Sequence, residues 1–117
     1  AAAKKIDNLI ATVDYNGQQI DGAVNDVLSL GNLKAKWEAF GWHVLQMNGN
    51  EMKQVVETLQ NARLHTGNGK PVVILMTTVM GFGVDLMMGS HKWHGIAPND
   101  EQLKQALAQL PETIGDY

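Results

Sequence analysis

An α/β fold, a parallel sheet with crossover helices, is predicted by three observations. Short apolar runs of strand length alternate with segments of helical period, in the order strand, helix, strand, helix, strand, long loop, helix. The third run, PVVILMTT (Pro71 to Thr78), is the most continuous apolar stretch, as expected of a strand covered on both faces. The polar, glycine-rich stretches follow the first and third runs, and an open parallel sheet gathers its ligand loops at the carboxyl ends of its strands.

The elements follow in order. The alanine-rich start fits the end of a helix or a ragged terminus. NLIATV (Asn8 to Val13) is the first strand candidate. Leu33, Trp37 and Phe40 then stand at helical spacing, and Gly41 fits a helix stop. WHVLQM (Trp42 to Met47) is the second strand candidate. Asn50 is a fitting N-cap for a helix whose Met52, Val55, Val56, Leu59 and Ala62 mark one buried face. Val72 to Thr77 forms the third strand, parallel to the other two in one sheet. After the loop, Asn99 caps a last helix with Gln102 at its third position. Leu103, Ala106, Leu107 and Leu110 make its apolar face, and Pro111 follows near its end.

Composition bounds the function. The 117 residues suit one ordinary domain, and 44% hydrophobic content is that of a folded chain. Net charge is −3 with scattered basic residues, which argues against a nucleic-acid surface. No apolar run approaches the roughly 20 residues of a membrane span. The start makes a poor signal peptide, because Asp7 and Asn8 interrupt it. Without cysteine there is no disulfide frame and no thiolate metal site, and a cytoplasmic setting is the default expectation.

The segment VDYNGQQIDG (Val13 to Gly22) admits two readings. Asn16-Gly17 suits a two-residue hairpin turn that would pair Val13–Tyr15 with Gln18–Ile20. Alternatively, a parallel strand ends near Asp14 and Asn16 to Gly22 is a ligand loop. On the other loop, Gly81-Phe82-Gly83 lacks the third glycine of a dinucleotide fingerprint, since Leu86 stands there. His91 and His94 are spaced to share a zinc ion on a helix, but Gly89 and Gly95 disfavour a regular helix. A phosphate or substrate contact suits them better. His43, in a strand, and His65, at a helix end, read as structural. Met76 reads as core, whereas Met87 and Met88 suggest packing against another chain or domain.

Four landmarks stand in sequence: DNLIATVDYNGQQIDG, KWEAFGWHVLQMNGN, GKPVVILMTTVMGFG and KWHGIAPND. From Asp7 to about Leu110 they closely resemble the thiamine diphosphate-binding domain of transketolases. WHGIAPND is especially similar to the separate N-terminal subunit of split bacterial-type transketolases. The resemblance implies that DYNGQQIDG is the second half of a diphosphate and magnesium motif, not a hairpin turn. It implies that the Asn16 side-chain oxygen and the Gln18 backbone carbonyl bind Mg²⁺ (or Ca²⁺), and Mg²⁺ takes about six oxygens, several from phosphates. It further implies that Ile20 packs near the thiazolium ring and that Met80 and Gly81 line the cofactor from the other loop. His94 would contact the diphosphate and, as the catalytic residue, assist proton transfers on the sugar. Asp14 and Asp21 would brace loops, and His91 matches a less constant position.

The family's motif opens upstream with Gly-Asp-Gly, whose aspartate binds the metal. Fifteen residues precede Asn16 and none supplies that triplet. Residues 1–117 are therefore expected to be a partial thiamine diphosphate-binding domain, inactive by itself. The resemblance implies a parent enzyme of the pentose phosphate pathway that transfers a two-carbon ketol unit between sugar phosphates. Its remaining domains or C-terminal subunit would be partners, in a homodimer or heterotetramer. The alternatives are another thiamine diphosphate enzyme, of deoxyxylulose-phosphate synthase or dehydrogenase E1 type, or a non-catalytic α/β binding domain.

Overall fold

The structure is a computed structural model and describes residues 1–111. After a 3-10 turn at Ala2–Lys4, the chain forms β1 (Ile10–Tyr15), β2 (Gln18–Gln19), β3 (Gly22–Ala23), α1 (Val24–Val27) and α2 (Leu33–Ala39). It continues through β4 (His43–Asn48), α3 (Met52–Leu64) and β5 (Val72–Thr77). A long loop with a 3-10 turn at His91–His94 leads to α4 (Asp100–Gln109).

β1, β5 and β4 make one parallel sheet in that order, as the alternating pattern predicts. β5 lies in the middle, and Val72, Val73 and Ile74 are fully buried, which accounts for its unbroken apolar run. Register fixes the faces. Ile10, Thr12 and Asp14 align with Val72, Ile74 and Met76, and these with His43, Leu45 and Met47. Val55 and Ala62 of α3 pack on the apolar members of that face. The first strand starts two residues later than expected, because Ile10 is the residue that aligns with Val72.

Two local expectations fail. Asn50 is not the cap of α3; Glu51 holds that position without a side-chain bond. The Asn50 side chain accepts a hydrogen bond from Val79 N–H instead, at 2.8 Å. Nor are the two helical apolar faces buried as whole stripes. On α3 only Ala62 is buried, while Met52, Val56 and Leu59 are exposed. On α4 only Ala106 is buried, while Leu103, Leu107 and Leu110 are exposed. A three-strand sheet is roughly 10 Å across between its outer strands, too narrow for the whole stripe of α3. The radius of gyration, 17.5 Å, exceeds the roughly 13 Å of a compact domain of this length. The Asn99 capping box does form: Asn99 Oδ1 accepts from Gln102 N–H, and Gln102 Oε1 accepts from Asn99 N–H.

Candidate functional site

Parallel pairing brings the loops after β1, β4 and β5 to one edge of the sheet, where such folds bind ligands. The segment after β1 is not a hairpin on Asn16-Gly17: β1 pairs with β5. Within it, β2 and β3 form a two-residue antiparallel ladder closed at Ile20-Asp21, a feature that neither sequence reading contained.

Asn16 sits at the mouth of this loop. Its Oδ1 accepts from Gln18 N–H at 2.9 Å, an Asx-type turn that holds the amide oxygen in place. Its Nδ2 donates to Asp14 Oδ2 at 2.9 Å. The other oxygen of Asp14 accepts from the Thr78 hydroxyl. Asp14 thus ties the β1 loop to the β5 loop, the bracing role expected of it. Gly17 O accepts from Val24 N–H, which closes the loop around Gln18. Asp21 and Ile20 are exposed, Ile20 at 71%.

The β5 loop carries the other predicted residues. Met80 O accepts from Gly89 N–H at 2.8 Å, pinching residues 80–89 into a compact loop. Gly81 has φ 69°, and a Cβ there would lie 2.7 Å from the Met87 backbone. Only glycine meets both demands. Trp93 Nε1 donates to Leu86 O and anchors the 3-10 turn. His94 ends that turn, exposed, and His91 begins it. Among the described residues no group of three His, Asp or Glu side chains is placed to hold a metal, so zinc at His91 and His94 has no third such ligand. No helix among them is long and apolar enough to cross a membrane.

The sequence gives no sign of two features at this edge. One is the Asn50–Val79 bond. The other is an open cavity of about 420 Å³ at the ends of β4 and β5, lined in part by Gln46, Asn48, Asn50, Gln54 and Thr78. Both depend on the β4–β5 register, which residue spacing alone does not give. Elsewhere, the rings of His43 and His65 stack at 3.8 Å, consistent with structural roles.

A parallel α/β sheet with polar loops gathered on its carboxyl edge defines an open α/β class of domain, which takes its ligands at that edge. Residues 1–112 match the family described as transketolase, thiamine diphosphate binding domain, and the chain belongs to that family. It is 40% identical over 110 residues to one of the subunits of an apulose-4-phosphate transketolase of Phocaeicola vulgatus, covering 94% of this chain and 38% of that protein. It is 36% identical over 110 residues to a 6-deoxy-6-sulfo-D-fructose transketolase subunit of a Clostridium species, covering 94% and 39%. The fold superposes on transketolase from Campylobacter jejuni with TM-score 0.83 and 33% identity, over 93% of this chain and 17% of that one. The chain thus spans about two fifths of the length of the two related subunits.

Proposed function

We propose that this chain supplies the diphosphate and magnesium side of a transketolase-type active site. The enzyme containing it moves a two-carbon ketol unit between sugar phosphates. The observation that carries this reading is the Asp14 bridge, which joins the loop of Asn16 to the loop bearing Met80, Gly81 and His94.

The donor chemistry fits. Mg²⁺ prefers hard oxygens and takes several from phosphates. Asn16 Oδ1 accepts one N–H bond and keeps a second lone pair for a cation. The Gln18 carbonyl is the second protein oxygen. Both are neutral, so an anionic protein ligand, the aspartate of the family's Gly-Asp-Gly, is left to the rest of the enzyme. Ile20, Met80 and Gly81 give the cofactor apolar and close backbone contacts. When bound, thiamine diphosphate supplies the electron sink for carbon–carbon bond cleavage. His94 offers an imidazole to the diphosphate and moves protons at the sugar hydroxyls.

The remaining transketolase domains or a C-terminal subunit complete the site, in a homodimer or heterotetramer, with residues 1–117 as a partial domain. Met87 and the exposed Met88 suit a contact with that partner. The names of the two related subunits support sugar and sugar-phosphate substrates beyond the pentose phosphate pathway. A cytoplasmic setting is part of the same proposal.

Asn16→Ala in the complete enzyme tests the reading. It should weaken magnesium-dependent cofactor binding by on the order of 1–3 kcal/mol, the scale of a lost contact to a charged group. Cofactor affinity unchanged across a magnesium titration would remove Asn16 from the site.

A further inference from the structure

The geometry assigns Asn50 as a positioning residue for the cofactor-lining segment at Met80 and Gly81, an inference that rests on the function proposed above. β5 ends its ladder at Thr77, and the next residues leave the sheet. Where β4 turns into α3, two bonds continue the join. Gly49 N–H donates to Thr77 O at 2.7 Å, and Val79 N–H donates to Asn50 Oδ1 at 2.8 Å. Asn50 is itself aimed by its neighbours. Its N–H donates to Asn48 Oδ1 at 3.0 Å, and Asn48 N–H donates to Gln54 Oε1 on α3 at 3.0 Å. From the opposite side, Asp14 accepts from the Thr78 hydroxyl. Residues 77–79 are therefore held by both neighbouring strand ends, directly ahead of Met80.

Gly49 shows how close this approach is. A Cβ there would lie 2.3 Å from Met76 Cγ and 2.6 Å from Thr78 Cγ2, so the turn lies hard against β5. The bond is not a by-product of core packing. Asn50 and Val79 line the open cavity at this edge, and Val79 is 42% exposed. Asn50 Oδ1 thus fixes a backbone amide that the ladder leaves free, one residue before Met80. Its removal frees the segment to rotate away from the position in which Met80 and Gly81 meet the cofactor.

The test compares the unsubstituted complete enzyme with Asn50→Ala, Asn50→Asp, Met80→Ala, and Asn50→Ala combined with Met80→Ala, which closes a double-mutant cycle. Asn50→Ala should raise the dissociation constant for thiamine diphosphate with Mg²⁺ about tenfold. Asn50→Asp keeps the acceptor oxygen and should restore most of that loss. If Asn50 acts through Met80, the double variant should lose less than the sum of the two single losses. Hydrogen exchange at residues 79–81, measured without cofactor, should be faster in Asn50→Ala and near normal in Asn50→Asp. Full additivity, failure of Asn50→Asp to restore binding, or unchanged exchange at residues 79–81 would overturn the positioning role. Absence of cofactor binding in the unsubstituted enzyme would instead overturn the proposed function, and with it any cofactor role for Asn50.

Discussion

The carboxyl edge of the sheet and the outer faces of α3 and α4 are built in opposite ways. At the edge, short polar side chains find partners within the chain: Asn16 with Asp14 and Gln18, Thr78 with Asp14, Asn50 with Val79. On the helices, apolar side chains at regular spacing stand largely exposed, with Ala62 and Ala106 the buried members. Hydrogen bonds between neighbouring strand ends need only a few residues at the right register. Burial of a helical stripe needs a surface as wide as the stripe. One region is thus set by local chemistry, and the other is apolar beyond what this sheet covers.

The sharpest way to break that contrast is a pair of substitutions. Ile74 is fully buried at the centre of the sheet, and Ile74→Ala should destabilise the chain by about 2–5 kcal/mol. Leu64 is 79% exposed at the end of α3, and Leu64→Gln should stay within about 0.5 kcal/mol. Urea unfolding of the chain measures both. Comparable losses would mean that Leu64 is packed and that the helical faces are not open.

A second prediction concerns the edge itself. Gly81→Ala forces an L side chain to φ 69° and into the Met87 backbone. It should cost on the order of 1–2 kcal/mol from conformation alone, plus the displacement of Met87. The same unfolding measurement detects it, and a neutral result would show that the 80–89 loop is not clamped as described.

What was legible in the sequence follows the same division. The three strands, their parallel direction and the capping box at Asn99 come from period and local chemistry. The residues around Asn16 leave turn and loop both open, and the family landmark DYNGQQIDG decides for the loop; in the fold β1 pairs with Val72 to Thr77, against which Gln18 to Ile20 is too polar and short to compete. The four landmarks carried the family. Asn50 departs from the expected cap because a polar residue at a helix start has two uses, cap or tether, and only the β4–β5 register shows which N–H is near. The helical stripes are less buried than expected because periodicity marks a face apolar without measuring the surface that meets it. The small β2–β3 ladder is not legible in the sequence, because two residue pairs leave no periodic signal.

The capping box offers a smaller test of the helical side. Asn99→Ala removes the bond to Gln102 N–H and should cost about 1 kcal/mol. Helix content and unfolding midpoint should both fall slightly. If α4 stability rests on its apolar face instead, the substitution will be silent while Leu107→Ser is not.

The smallest expected effect lies at the opposite end of the sheet, where His43 on β4 meets His65 at the end of α3. Their rings stack at 3.8 Å, and His43 Nε2 is shut from solvent without a hydrogen-bond partner. Burial lowers the His43 pKa below its ordinary 6.5, and the nearby His65 and Lys70 lower it further against the raising influence of Glu38. The unfolded chain therefore binds the proton more readily than the folded one, so stability rises with pH through this window. The contribution is fully present above about pH 6.5 and is lost progressively as pH falls toward the lowered folded value. Melting the chain at about pH 7.5 and about pH 5.5 should show a lower midpoint at the acid end. The other three histidines are unchanged in His43→Gln, so comparison with that variant isolates His43. The variant should show a smaller acid shift than the parent chain. An equal shift in both would move the pH dependence away from the His43–His65 stack and leave that contact a matter of packing alone.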